Sequence, residues 1–406
     1  MVDRVHRRQH WWVVLVAFAV TAVVTATASL YPGAGSSRSA AAASSGAART
    51  AAPTPVAARA PLDIGIAYGD TLPFLSDKAL GAALDDAVAV GAKWIRADLS
   101  WEDVQPNSPS LYRWDRFDRV VAAAGTRHLQ VLAVVAYTAP FARSAACRDD
   151  QSCAPADPAA FAAFAAKAAA RYTPMGVRTW EIWNEPNISF WLPRPDPVAY
   201  TRLLRLTTTA IRKVDPKATL LMGGLAAVKD DPRTHNISAG TFLTEVSRLG
   251  GNRMVDAISY HPYTFPYLPS AKTNFGTAYE KISSTADNLV SILQKYGTPK
   301  LPVWVTETGA PTNGPGVASD GVTIPPGTTH VTEAFQAAIA TDTVPASAAN
   351  PHVAAVFWFA DQDSGTDRRS RSKFFGLRRL DGTAKPSLAA FRKAVADYEA
   401  SLRPSP

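Results

Sequence analysis

The sequence predicts a single (β/α)₈ barrel over residues 62–400, and three observations carry that reading. From Leu62 onward, short apolar, β-rich runs alternate with amphipathic, Ala-rich stretches, the pattern of βα units around a parallel sheet. Eight such runs can be laid out. The chain has 406 residues, 47% of them hydrophobic, which suits one barrel of roughly 250 residues or more with insertions. A doubly wound sheet would want fewer strands and a Gly-rich first turn. The turn after Tyr68 has one glycine and no phosphate-binding fingerprint.

Taken in order, the predicted strands are Asp63–Tyr68, Lys93–Asp98, Gln130–Ala136, Arg178–Asn184, Thr219–Gly223, Ala257–His261, Pro302–Thr306 and Val353–Phe359. Helical stretches fall between them, among them Ala79–Val90, Ala159–Tyr172, Val198–Val214 and Ala278–Tyr296. After the eighth strand, Phe375-Gly376-Leu377 and Asp381-Gly382 read as turns before a final helix that covers the barrel. The segment Gly309–His330 is a long Gly-, Pro- and Thr-rich loop, and loops of that length on a compact domain are usually functional.

Ahead of the barrel lie two segments of different character. Residues 1–30 read as a signal peptide or signal anchor. A basic stretch ends at Arg8, Trp11 to Leu30 is apolar apart from Thr and Ser, and Ala26-Thr27-Ala28 offers a small-residue cleavage site. Either reading exports the rest of the chain, secreted or held to the membrane through this segment alone. Residues 31–61 are Ala, Ser, Pro, Gly and Arg with almost no large apolar side chain, the composition of a flexible linker.

The formal net charge of +8 invites a nucleic-acid reading, and its location removes it. Residues 1–60 hold six arginines against Asp3 alone, so five of those eight charges sit in the leader and linker. No nucleic-acid partner is expected. The only two cysteines, Cys147 and Cys153, lie six positions apart in a polar segment. They lack neighbouring His for a metal, so a small disulfide loop is the expected arrangement in an oxidising compartment.

Barrel sites are built at the carboxyl ends of the strands, which decides the polar residues that carry weight. The fourth strand runs into Trp183-Asn184-Glu185-Pro186, and the seventh into Glu307-Thr308-Gly309. Strands four and seven face each other across the mouth, so both carboxylates can converge there. Glycosidic hydrolysis needs such a pair. One acid must hold a proton for the poor leaving oxygen, while one ionised carboxylate faces the positive charge developing on the anomeric carbon.

These strand ends resemble those of the clan A glycoside hydrolases, retaining (β/α)₈ enzymes of the family 39-like and family 5-like (cellulase-type) groups. The resemblance runs over roughly residues 62–395. Supporting segments are WIRADLSWEDVQP, LYRWDRFDRVV, DAISYHPYTFP and VFWFADQD. It implies Glu185 as acid/base and Glu307 as nucleophile. It also implies Asn184 bonded to the sugar hydroxyl beside the anomeric carbon, and Arg96, near the end of strand two, keeping Glu307 ionised. His261 and Tyr263 would orient Glu307 or touch the sugar, and Trp358 would floor the bound ring. Neither a cofactor nor a metal is expected, since proton transfer and nucleophilic attack need neither. The implied partner is an oligosaccharide or polysaccharide, and the protein is expected to be a monomer. Endo-acting cleavage of β-glycosidic bonds is the leading expectation. A transglycosylase of envelope glycan with the same residues, and a carbohydrate-binding protein without hydrolysis, are the alternatives.

Each side chain also has a structural reading. Arg96 could pair only with Glu181 or Asp98, and Glu181, below the mouth, belongs to an internal charge network. His261 could be a satisfied core histidine and Trp358 plain core. Tyr68, Trp101 and Tyr137 could line outer subsites or simply pack. Asn187-Ile188-Ser189 and Asn236-Ile237-Ser238 match the glycosylation sequon, a pattern common by chance.

Overall fold

A computed structural model describes residues 60–403. The expected signal or anchor segment and nearly all of the linker lie outside these residues. Among the described residues, no helix is long and apolar enough to cross a membrane.

Eight parallel strands close into a barrel: β1 (Asp63–Ala67), β2 (Trp94–Ser100), β3 (Gln130–Ala136), β4 (Thr179–Asn184), β5 (Thr219–Ala226), β6 (Ala257–His261), β7 (Val303–Thr308) and β8 (Val353–Phe359). Each neighbours the next, and β8 closes on β1. One main helix follows each strand: α1 (Asp77–Ala89), α2 (Asp115–Gly125), α3 (Pro158–Tyr172), α4 (Pro197–Val214), α5 (Ala239–Arg248), α6 (Leu289–Lys295), α7 (Glu333–Ala349) and α8 (Pro386–Ser401). The predicted (β/α)₈ architecture is the observed one.

Local chemistry sets the helix starts. Asp157-Pro158 and Asp196-Pro197 place a carboxylate on the first free amides and a proline where no amide hydrogen is needed. Ser76, Ser238, Asn288 and Thr332 cap four other helices through side-chain oxygens. The expected helix over 278–296 is divided into Glu280–Ser283 and α6. The polar run Ser284 to Asn288 offers the backbone side-chain bonds in place of helical ones, and Asn288 restarts the helix as its cap.

Alternation along the strands sorts side chains into two apolar layers. The larger packs between barrel and helices. The smaller fills the barrel, where Trp304 meets Trp94 edge-on at 5.5 Å and stacks on Phe357 at 6.2 Å. Gly65 on β1 is required there, because a Cβ would collide with the Phe357 ring. This aromatic plug carries the polar groups above it.

Cys147 and Cys153 are bonded, as expected, in the segment between β3 and α3. Closing so small a loop restricts the unfolded chain by about 2 kcal/mol in a chain-entropy treatment. The double Cys→Ser variant is therefore expected to lose about that much in urea titration while keeping its turnover. A loss of turnover in the folded double variant would give the staple a role at the mouth.

Candidate active site

Three irregularities at strand ends re-aim the polar side chains. Regular alternation would place only one of Thr306 and Glu307 inside the barrel. Between Val305 and Thr308, β7 carries one residue more than β8, a bulge that turns both side chains inward. In β5 a second bulge falls at Gly223-Gly224. A Cβ on Gly224 would strike the His261 imidazole, and one on Gly223 would strike the backbone of β4, so both positions need glycine. At the end of β4, Trp183 (φ 74°) and Glu185 (φ 45°) are left-handed without being glycine. Such strain concentrates at functional sites, and here it turns Asn184 and Glu185 towards the mouth. The Glu185 amide donates to Gly224 carbonyl at 2.9 Å and fixes the turn.

Arg96 lies at the bottom of the polar layer, fully buried, as the third residue of β2 and thus deeper than the expected strand end. Its Nε and Nη2 donate to Glu181 at 2.9 and 3.0 Å, its Nη1 to Glu307 at 2.6 Å, and its Nη2 also to Asn184 Oδ1 at 2.8 Å. Both alternatives for Arg96 hold at once: it pairs with the internal Glu181 and with the mouth carboxylate. Glu181 also accepts from the Gly224 amide at 2.8 Å, so this buried anion is satisfied.

His261 Nδ1 stands between the two mouth glutamates, 2.9 Å from Glu185 Oε1 and 3.5 Å from Glu307 Oε2. Its Nε2 meets Thr306 Oγ1 at 3.1 Å. Tyr263, just past β6, donates its hydroxyl to Glu307 Oε2 at 2.7 Å. One carboxylate oxygen of Glu185 and one of Glu307 lie within 4.8 Å of each other. Side chains separated by 122 positions in sequence thus flank one point. Each keeps only an eighth or so of its surface open, 13% and 12%.

The two carboxyls differ in proton affinity. Burial pushes Glu185 above the usual glutamate range, reinforced by the negative charge of Glu307 and opposed by the His261 bond. Burial would raise Glu307 as well, but the positive charges of His261 and Arg96 and the Tyr263 and Arg96 hydrogen bonds overcome it and hold Glu307 below that range. Burial alone would lower His261, yet Glu307 and Glu185 raise it and favour the imidazolium, a donor at both nitrogens. An ionised and a protonated carboxyl side by side are an acid and a nucleophile in waiting.

One expected sugar contact is corrected. Trp358 is fully buried and faces outward, its ring 5.6 Å from Phe391 of α8. Alternation on β8 turns Phe357 and Phe359 inward instead, so the residue open to the mouth is Phe359, one position on. Phe359 and Tyr263 both pack against Phe375, at 5.6 and 5.3 Å. Tyr68, Trp101 and Tyr137 are buried and pack in the larger core. Asn187 is also buried. Its amide bonds the Ala226 backbone on both sides and Ile237 carbonyl, so this sequon is a strut between β4 and β5 and not a glycan acceptor.

Comparisons with known proteins agree with this geometry. Residues 67–358 match the model of the cellulase family, glycosyl hydrolase family 5. A family 39 glycoside hydrolase from the gut symbiont Bacteroides cellulosilyticus WH2 superposes with a TM-score of 0.63 at 25% identity, over 83% of this chain and 64% of its own length. This chain therefore spans less than two thirds of that enzyme. GH5_18 from Streptomyces cattleya, solved in complex with GlcNAc, gives 0.62 at 20% identity, covering 86% of this chain and 82% of that one. A monomeric β-xylosidase from Caulobacter crescentus CB15 gives 0.57 at 17%, over 82% and 68%. The latter two likenesses concern the fold alone. No curated protein sequence matches. A closed parallel barrel, two glutamates at its mouth and a family match from the end of β1 into β8 lead to one assignment: the chain belongs to the cellulase family of glycoside hydrolases, family 5.

Proposed function

We propose that the protein is an exported, retaining β-glycosidase that cleaves an oligosaccharide or polysaccharide within the chain. Glu185 gives its proton to the leaving oxygen while Glu307 attacks the anomeric carbon, so a glycosyl-ester bond forms as the glycosidic bond breaks. Glu185, now ionised, takes a proton from water, which attacks the same carbon and frees Glu307. Asn184, with its oxygen held by Arg96, turns its amide hydrogens to the sugar hydroxyl beside the anomeric carbon. His261 and Tyr263 position the two glutamates.

The observation that carries this reading is the pairing of unlike carboxyls, one oxygen of each within 4.8 Å of the other, so that both flank one point. Retaining enzymes hold their carboxyls about 5–5.5 Å apart, whereas inverting enzymes need about 6.5–9.5 Å to admit water. Export is supported by the basic and apolar leader and by the disulfide. Endo action is supported by exposed apolar side chains on the loops after β6 and β7, Phe275 (61% exposed) and Val322 (92%), which suit the faces of sugars beyond the cleaved bond. Proton NMR of the first product released from an aryl β-glycoside tests the mechanism: β-configured sugar is expected, and an α-product refutes it. Product lengths from a polysaccharide panel test the endo mode, since release of single sugars alone refutes that part.

The rate should follow a bell in pH. It rises as Glu307 ionises, below the usual glutamate range, and falls as Glu185 loses its proton, above that range. In Glu185→Gln, assayed with a good aryl leaving group, the alkaline limb is expected to vanish and the acid limb to stay. An unchanged alkaline limb would assign the proton to another group.

A further inference from the structure

Above Arg96, the wall of the mouth built from β1, β2 and β3 carries polar side chains that no step of the double displacement uses. Asp98 lies two residues beyond Arg96 on β2, so both side chains leave the strand on the inner face, with Asp98 nearer the mouth. Asp98 is 5% exposed, and its Oδ1 is enclosed without a hydrogen-bond partner. The hydroxyl of Tyr137, the residue after β3, is enclosed and unpartnered as well. Tyr137 is left-handed (φ 62°), and its ring is edge-on to Trp183 at 6.2 Å, so strain is spent to hold it there.

These groups share one corner. Burial pushes the Asp98 carboxyl up to about 8, Arg96 opposes this, and Asp70, Glu307 and Glu181 add to it. The Tyr137 phenol is raised by burial and then by Asp98 and Asp70. A buried carboxyl oxygen and a buried phenol without a hydrogen-bond partner among the described residues weaken the fold, and native chains keep few such groups without a use.

We propose that Asp98, with the Tyr137 hydroxyl beside it, reads the ring hydroxyls on the C3–C4 edge of the sugar that Glu307 attacks. The inference rests on the roles assigned to Glu185 and Glu307. Those residues place the anomeric carbon between β4 and β7 and the leaving group on the Glu185 side. Asn184 serves the hydroxyl next to the anomeric carbon. The opposite edge of the ring then faces β1 and β2, on whose inner face alternation places Asp98. A sugar hydroxyl both donates and accepts, as do a protonated carboxyl and a phenol, so the corner is complementary to a neutral polyol edge.

The test compares p-nitrophenyl β-glucoside, β-galactoside and β-mannoside, which differ at C4 or at C2. For the wild type, kcat/KM should discriminate between glucoside and galactoside. In Asp98→Asn that ratio should shrink by about tenfold or more, while the glucoside-to-mannoside ratio stays within about threefold. Tyr137→Phe should move the first ratio in the same direction by about threefold. Equal changes in both ratios would make Asp98 a positioning residue acting through Arg96, and no change, or no wild-type preference at C4, would also overturn the proposal. Should the wild type cleave none of the three, the hydrolase reading fails only if the polysaccharide panel yields no products either. Saturation-transfer NMR with Glu307→Gln protein then reads the same ratios as affinities, and absence of a C4 preference in binding overturns the proposal. If Asp98→Asn fails to fold in a thermal melt, Tyr137→Phe, which loses no hydrogen bond among the described residues, decides alone.

Discussion

Glu307→Ala is expected to lose hydrolysis of every glycoside by on the order of 10⁴-fold or more and to regain turnover when azide is supplied. Truncation removes the atom that forms the glycosyl-ester bond and leaves a space beneath the anomeric carbon. Azide fits that space and attacks from the same face, so the product is an α-glycosyl azide from a β-glycoside. Glu181 cannot substitute. It is fully buried, with its oxygens engaged by Arg96 and the Gly224 amide. Glu185 lies on the leaving-group side, and its proton transfer remains available to help departure. The measurement is rate against azide concentration with NMR assignment of the azide product. A variant that retains more than about a hundredth of wild-type activity, or a β-azide, would remove Glu307 from the nucleophile's place.

The glutamate pair was legible in the sequence because it depends on strand position, and strand position depends on apolar patterning that eight βα units repeat. Barrel topology then converts strand number into direction around the mouth. What stayed illegible is sub-element geometry. Trp358 was expected to face the sugar, but a strand shifts side by single residues, and the inward positions of β8 are Phe357 and Phe359. The bulge that brings Thr306 and Glu307 to the same side leaves no mark in the sequence of β7. The bulge in β5 does leave one, the Gly223-Gly224 pair, whose missing side chains make room for His261 and the β4 backbone. Phe375 reached the site from beyond β8, through a segment whose sequence reads only as a turn. Asp98 carries the opposite lesson: its spacing from Arg96 was plain, but burial without a partner appears only in three dimensions.

Arg96→Met is expected to damage stability and catalysis through the same missing charge. The guanidinium is fully buried and bonds Glu181 twice, Glu307 once and Asn184 once. Methionine fills much of the volume but leaves Glu181 an enclosed anion without a counter-charge. Breaking one side of a buried pair costs about 3–5 kcal/mol, which urea titration at neutral pH would read as a lower midpoint with an unchanged slope. Glu307 loses a positive charge and a hydrogen bond that hold its carboxyl low, so its proton should leave at higher pH. The acid limb of the rate profile must then move up, and at the old optimum a growing share of the enzyme carries a protonated, unreactive nucleophile. Arg96→Lys separates the two effects. Its ammonium restores a point charge near Glu181 and Glu307, so the acid limb should return part of the way. It cannot span Glu181, Glu307 and Asn184 together, so kcat should stay depressed. If both variants show the wild-type acid limb, Glu307 is held ionised by His261 and Tyr263 alone, and Arg96 serves only the buried pair with Glu181.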